Sequence, residues 1–304
     1  MQEVEWIWMD GKLVPWKEAK VHVLTHALHY GTAVFEGIRC YKTERGPAVF
    51  RLIDHMKRFF DRAKICMIKI PYSLEELVEA VKETIRANKL EECYIRPLAY
   101  VGYGEMGLYS LGNPVGVAIA VWPWGAYLGE EGLVKGIRCM VSSWRKLHSQ
   151  FVPPQAKASA NYLNAVLAKL EALSMGYEEA ILLNLDGYVS EGSGENIFVV
   201  KDGVIYTPPP EACMLMGITR DSVIKLARDM GYTVVERNIL REELYIADEV
   251  FLTGTAAEVT PVREIDGRVI GEGRRGPITE AIQKKFFDVV HGREEAYYHW
   301  LDFV

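Results

Sequence analysis

In WIWMDGKLVPW, near the start of the chain, apolar and polar positions alternate on either side of Asp10-Gly11. That pattern predicts two short strands joined by a tight turn. From Val21 to Ile65 the chain reads as loop, strand, turn and strand. It ends in a helix whose apolar positions Met56, Phe59, Phe60 and Ala63 recur at helical spacing. Ser73 and Glu76 form a capping box ahead of a second helix, LEELVEAVKETIRANKL. Strands follow around Tyr94-Ile95-Arg96 and from Val115 to Val121. The strand-helix-strand rhythm of a parallel sheet is missing, so this portion is expected to be α+β.

Residues 123–132, PWGAYLGEEG, interrupt the pattern with proline, glycines and acids, as a connector would. The expected organisation is therefore a small domain over 1–122, a connector over 123–132 and a larger domain over 133–304. The larger part begins with a strand from Ile137 to Trp144, and a helix-like run from Tyr162 to Leu173 leads into an apolar strand. A strand pair turns at Lys201-Asp202-Gly203, and helices are expected at Ile218–Met230 and near Arg241–Ala247. A strand spans Thr233–Arg237, EVFLTGTAAEVTPV is strand-like, a hairpin turns at Asp266-Gly267, and a last helix covers Pro277–Val290.

Composition narrows the class. The chain has 304 residues, 49% hydrophobic and 25% charged, the balance of a globular protein of two domains or one large unit. A net charge of -6 argues against a general nucleic-acid surface. No apolar run approaches the roughly 20 residues of a membrane span, and the first residues lack the pattern of a signal peptide. A cytoplasmic location is the expectation. The five cysteines are scattered without a CxxC pair, which predicts reduced thiols rather than disulfides or a zinc site.

Candidate chemistry centres on Lys157, set among Ala156, Ala158, Ser159 and Ala160. An uncrowded, partly desolvated lysine suits Schiff-base chemistry, although most lysines are solvated surface residues. Glu191, in the glycine-framed SEGSGEN, would suit a pyridinium nitrogen. Those glycines do not make a dinucleotide loop, since strand and turn follow where a helix is required. Gly217-Ile218-Thr219 opens a helix and offers amides to an anion, and Thr253-Gly254-Thr255-Ala256-Ala257 allows close approach at a strand end. Arg58 could supply a charged fork to phosphate. Taken singly, each also reads as ordinary structure. His22, His26 and His29 have helical spacing, but the run holds no acidic or cysteine partner, so no metal is expected. Together, amine, carboxylate and phosphate cup answer the needs of pyridoxal 5'-phosphate.

With these residues in view, the chain resembles a branched-chain amino acid aminotransferase of the fold type IV (class IV) group. The motifs that carry the likeness run from HYGTAVFEGIR through YIRPL, PWGAYLG, AKASANYLNA, GYVSEGSGENIFVVKDG, GITRDSVIKLA and LYIADEVFLTGTAAEVTPV to GPITEAIQKKFF. The resemblance implies an α+β two-domain fold with a small N-terminal domain and a larger one with a barrel-like sheet core. It implies transamination of L-leucine, L-isoleucine and L-valine with 2-oxoglutarate, giving branched-chain 2-oxo acids and L-glutamate in amino-acid biosynthesis. Lys157 would be the Schiff-base lysine, Glu191 the partner of the pyridine nitrogen and Tyr162 a hydrogen-bond partner of the ring's phenolic oxygen. Arg58, the Ile218 and Thr219 amides and Thr255 would hold the phosphate. Tyr94 with the Thr255-Ala256 amides would receive the α-carboxylate, and Arg96 the distal carboxylate of glutamate. Phe35, Gly37, Trp124 and Tyr127 would line the side-chain pocket, with Arg39 assisting or solvated. Tyr30 and Leu108 would come from the partner in a homodimer, which could itself form part of a hexamer.

Rival readings are a D-amino acid aminotransferase or aminodeoxychorismate lyase of the same superfamily, a non-catalytic carrier of the cofactor, and a metal hydrolase built on the histidines. One departure bears on side-chain preference: after GYGEMG the family loop runs briefly to Asn-Pro, whereas this chain reads LYSLGNP.

Overall fold

The computed structural model describes residues 2–125 and 127–304; Met1, and Ala126 of the expected connector, lie outside the described residues. The chain forms two compact units. One holds the residues up to Trp124 with Ala156–Ala160 and Val289–Val304; the other holds Gly125–Gln155 with Asn161–Asp288. A linear reading puts everything after Gly132 in one domain. In the structure the Lys157 segment and the C-terminal tail belong with the first unit instead. Ala158 bridges Val34, and the tail strand Leu301–Phe303 pairs with Gly46–Phe50.

In the first unit, β1 (Trp6–Met9) and β2 (Lys12–Pro15) pair across Asp10 and Gly11, whose φ values of 49° and 93° make the mirror-image turn that suits strand twist. The segment read as loop before Gly31 holds a five-residue helix, α1 (His26–Tyr30), too short to show a period. There follow β3 (Ala33–Phe35), β4 (Ile38–Thr43), β5 (Gly46–Phe50), α2 (Leu52–Ile65), α3 (Leu74–Ala87), β6 (Cys93–Val101) and β7 (Val115–Trp122). The antiparallel sheet runs tail strand, β5, β4, β6, β7, β1, β2, with β3 also on β6. The Ser73–Glu76 capping box forms as expected. Leu52, Met56 and Phe59 of α2 and Leu77, Val81 and Ile85 of α3 bury against sheet residues such as Ile38 and Ile95. That apolar burial is the main driving force for the unit.

The second unit contains α4 (Glu130–Lys135), β8 (Ile137–Arg145), α5 (Tyr162–Ser174), β9 (Glu179–Leu183), β10 (Val189–Gly192), β11 (Asn196–Lys201), β12 (Val204–Thr207) and α6 (Ile218–Asp229). Then come β13 (Val234–Glu236), α7 (Arg241–Tyr245), β14 (Glu249–Gly254), β15 (Glu258–Ile265), β16 (Arg268–Val269) and α8 (Pro277–Val290). Its sheet runs β10, β9, β8, β15, β14, β11, β12, β13, with β16 on β15. β8 pairs parallel with β9 and β15, and β12 with β13; the other pairs are antiparallel. Every residue of β9 is buried, so this strand is covered on both faces. EVFLTGTAAEVTPV is not one strand but two, β14 and β15, with Thr255–Ala257 in the turn. The mixed pairing and interspersed helices make the fold α+β. Among the described residues, no helix is long and apolar enough to cross a membrane.

Candidate active site

In the first unit Lys157 lies beside β3. Its backbone carbonyl accepts the Phe35 N–H at 3.3 Å, and its ammonium sits 5.2 Å from the Phe35 ring centroid. Ala156 and Ala158 are buried in the unit's core, and a Cβ on Gly31 would come within 2.7 Å of Ala160 Cβ. The small residues around Lys157 thus also serve close backbone packing, and Lys157 itself is half-buried. Lys157 has φ 47°, the left-handed region that an L side chain enters at a cost of about 1 kcal/mol. In the cofactor-free protein, K157G is therefore expected to be more stable than K157A by roughly 0.5–1 kcal/mol, as read by urea denaturation. Equal midpoints would show that the backbone relaxes freely.

Next to Phe35, Glu36 is fully buried and takes Arg58 side-on, Nε donating to Oε1 at 2.7 Å and Nη2 to Oε2 at 2.8 Å. His55 Nδ1 donates to the same carboxylate at 2.8 Å. Burial alone would raise the Glu36 carboxyl, but the Arg58 charge and the hydrogen bonds from His55 and Arg58 outweigh it and hold it well below the usual range. Burial lowers His55, against the pull of Glu36. The fork that the sequence offered to a phosphate is thus turned to Glu36.

Tyr94 and Arg96 lie on β6, on one face because they are two residues apart. A Cβ on Gly37 would run into the Tyr94 hydroxyl, so only glycine leaves the phenol its place. The Arg96 guanidinium lies 4.7 Å from the Phe35 ring centroid, 5.4 Å from Tyr94 and 6.0 Å from Trp122, and Trp124 packs edge-on to Tyr94 at 4.6 Å. Arg96 Nε is buried with no hydrogen-bond partner among the described residues. Arg39 is not solvated: it is buried, donating to the Trp124 carbonyl at 3.0 Å and to Glu92 at 3.3 Å.

Each of the three histidines has its own partners. His22 Nδ1 accepts the Leu24 N–H at 3.1 Å, and His29 Nε2 donates to the Val23 carbonyl at 2.9 Å. Buried His26 spans Thr32 Oγ1 at 2.8 Å and the Gly107 carbonyl at 2.7 Å, tying down the loop that carries Leu108. Asn113 pins the base of that loop through both backbone groups of Glu105, while Leu108 at 91% and Tyr109 at 77% exposure extend into solvent. Tyr30 is also exposed.

In the second unit, the register shifts between Val189 and Glu191 on β10, an irregularity that re-aims the glutamate. Glu191 Oε2 accepts the Leu215 N–H at 2.9 Å and Asn196 Nδ2 at 3.3 Å, and Oε1 pairs with the Lys146 ammonium. Asn196 also donates to the Leu215 carbonyl at 2.8 Å, and a Cβ on Gly217 would collide with its Oδ1. Glu191 is thereby locked to the start of α6, where first-turn amides have no acceptor within the helix. Thr219 is buried in that turn, and Tyr162 is the first residue of α5. Thr255 and Ala256 occupy the β14–β15 turn, and nearby Thr253 Oγ1 is buried with no partner among the described residues. Half-exposed Tyr127 has the Lys169 ammonium 5.5 Å from its ring centroid.

The family model described as amino-transferase class IV matches residues 33–265. The chain belongs to the class IV aminotransferases. This aminotransferase is 54% identical over 294 residues to the branched-chain-amino-acid aminotransferase of Pseudomonas aeruginosa, covering 97% of this chain and 95% of that one. The crystal structure of the Escherichia coli branched-chain amino acid aminotransferase matches with a TM-score of 0.97 and 52% identity over 99% of each chain. A T.th. branched-chain amino acid aminotransferase complexed with N-(5'-phosphopyridoxyl)-L-glutamate matches with a TM-score of 0.96 and 50% identity over 100% of this chain and 99% of that one. The fold of this aminotransferase is therefore fold type IV.

Four residues escaped sequence reasoning: Glu36, His55, Lys146 and Asn196. Glu36 and Asn196 stand inside motifs already singled out, so their place beside Phe35 and within SEGSGEN was a usable signal. His55 and Lys146 carried none.

Proposed function

We propose that this chain moves the amino group of L-leucine, L-isoleucine or L-valine to 2-oxoglutarate, giving branched-chain 2-oxo acids and L-glutamate. The observation that carries this reading is Arg96, a cation held on aromatic faces with its Nε unpartnered among the described residues. Phe35, Trp124 and Tyr127 would provide an apolar lining for a branched side chain, while Arg96 would meet the distal carboxylate of glutamate. The likeness to branched-chain aminotransferases at 52–54% identity supports the same substrates.

Pyridoxal 5'-phosphate, on which class IV aminotransferases depend, supplies an electrophilic carbonyl and a ring that accepts the electrons left when the α-proton departs. The residues fit it, in that Thr253 Oγ1 is a buried hydroxyl with no partner among the described residues, and Gly217 brings α6 amides close to Glu191 through Asn196. Lys157 is the proposed covalent anchor and proton carrier, Glu191 the ring-nitrogen partner and Tyr162 the phenolic-oxygen partner. Ile218 and Thr219 amides, Thr255 and Arg58 would hold the phosphate. Tyr94, set by Gly37, and the Thr255-Ala256 amides would take the α-carboxylate. Arg39 would act by holding Trp124.

The reading includes a homodimer in the cytoplasm, with the exposed Leu108 loop and Tyr30 completing the partner's pocket. Dimers would assemble further into a hexamer only if a second face is buried, which sedimentation decides. Mixing the loaded enzyme with single amino acids tests the reaction. Loss of the cofactor's imine absorbance is expected with L-leucine, L-isoleucine, L-valine and L-glutamate. Reaction with D-alanine in place of L-leucine would sink the proposal.

A further inference from the structure

Oxygen Oε2 of Glu191 already receives two donors, the Leu215 amide and Asn196, whereas Oε1 is shared only with Lys146 among the described residues. A ring nitrogen bound to this carboxylate would therefore meet Oε1, the oxygen that the lysine contacts. Lys146 is itself largely buried, at 15% exposure, at the end of β8, where its own N–H donates to the Leu183 carbonyl at 2.8 Å. We propose that Lys146 is a positioning residue that fixes Glu191 and sets, by its charge, how firmly the ring nitrogen of the cofactor holds its proton. This rests on the reading of Glu191 as the nitrogen's partner.

Glu191 without Lys146 would be an undivided negative charge for a pyridinium. With Lys146 the pair is close to neutral, and the pyridinium also faces a cation one residue away. The other carboxyl acting on Glu191, Glu195, is buried, and burial first, then Glu179, pushes it well up. Burial thus favours the neutral form of Glu195, which weakens its offset to the lysine's charge. Lys146 is the charged group in direct contact with Glu191 among the described residues. Its presence makes the nitrogen a weaker base than Glu191 alone would, which places the electron-accepting power of the ring under the control of a residue outside the cofactor's contacts.

The test is to load wild type, K146M, K146R and E191Q with cofactor ¹⁵N-labelled at the ring nitrogen and to follow its ¹⁵N shift against pH. Removing one charge at this distance is expected to raise the pH at which the nitrogen loses its proton by about one unit or more in K146M. K146R is expected to return it to the wild-type value. Should K146M not fold, K146Q serves in its place. A wild-type titration in K146M, with thermal stability alone reduced, overturns the proposal and leaves Lys146 structural. If E191Q moves the titration and K146M does not, only the lysine's role is lost. If neither moves it, the reading of Glu191 itself fails.

Discussion

Replacing Arg96 by methionine is expected to cut kcat/KM for L-glutamate by about a thousandfold while leaving L-leucine within about tenfold. On the proposed function the two substrates would use one pocket in opposite ways. Glutamate brings a distal carboxylate, and removing water from it without a cation nearby is costly. Leucine brings only methyl groups, for which a buried cation is a poor neighbour. Arg96 lies on the faces of Phe35, Tyr94 and Trp122, whose π-systems attract a cation without supplying a counter-charge, an arrangement that would serve both demands. A carboxylate partner from the protein would satisfy Arg96 permanently and remove the proposed attraction for glutamate; the hydrogen bond Arg96 makes among the described residues goes instead to the neutral Tyr94 hydroxyl, at 3.4 Å. Methionine keeps much of the volume and loses the charge. Half-reactions followed separately with each amino acid read the two effects. Equal losses with both substrates would show that Arg96 supports the pocket's shape rather than selecting a carboxylate.

Much of the fold was legible in the sequence because its strongest signals are local. Asp-Gly turns, the Ser73–Glu76 box and the apolar spacing of α2 depend on near neighbours, and those elements stand where the pattern places them. What escaped were relations between distant parts of the chain. That Ala158 bridges Val34, and that the tail strand pairs with β5, depends on contacts that no periodicity encodes. EVFLTGTAAEVTPV showed a strand end at Thr253-Gly254 but not the return strand, because the short turn over Thr255–Ala257, followed by Glu258 at φ 55°, has no proline or asparagine to mark a reversal.

The candidate residues themselves could be named from motifs, but their electrostatic neighbours could not. Arg58 reads as a fork for phosphate until Glu36 is seen to hold it, and Glu191 reads as a lone carboxylate until Lys146 appears beside it. A charge's role depends on what faces it, and the facing residue here lies 22 positions away in one case and 45 in the other.

That hidden layer makes the second large prediction. Changing Glu36 to glutamine is expected to lower stability by about 3 kcal/mol at neutral pH, or on the order of 6–10 °C in Tm. The carboxylate is fully buried, and its loss leaves the nearly buried Arg58 without its counter-charge. The pH dependence has a definite sign. His55 and Glu36 are both held below their ordinary values, 6.5 and 4.5, so in acid the unfolded chain binds more protons than the folded one. Their contributions are complete above those values and fade as pH falls, first for His55 below about 6.5 and then for Glu36 below about 4.5. E36Q lacks the second component, since its side chain does not titrate. Removing Glu36 also removes its upward pull on His55, so the gap between wild type and E36Q should not narrow between pH 7 and about 4.5, and should close only below about 4.5 as Glu36 protonates. Urea midpoints measured from pH 3 to pH 8 check this, and two parallel curves would mean that Glu36 does not hold its charge against burial.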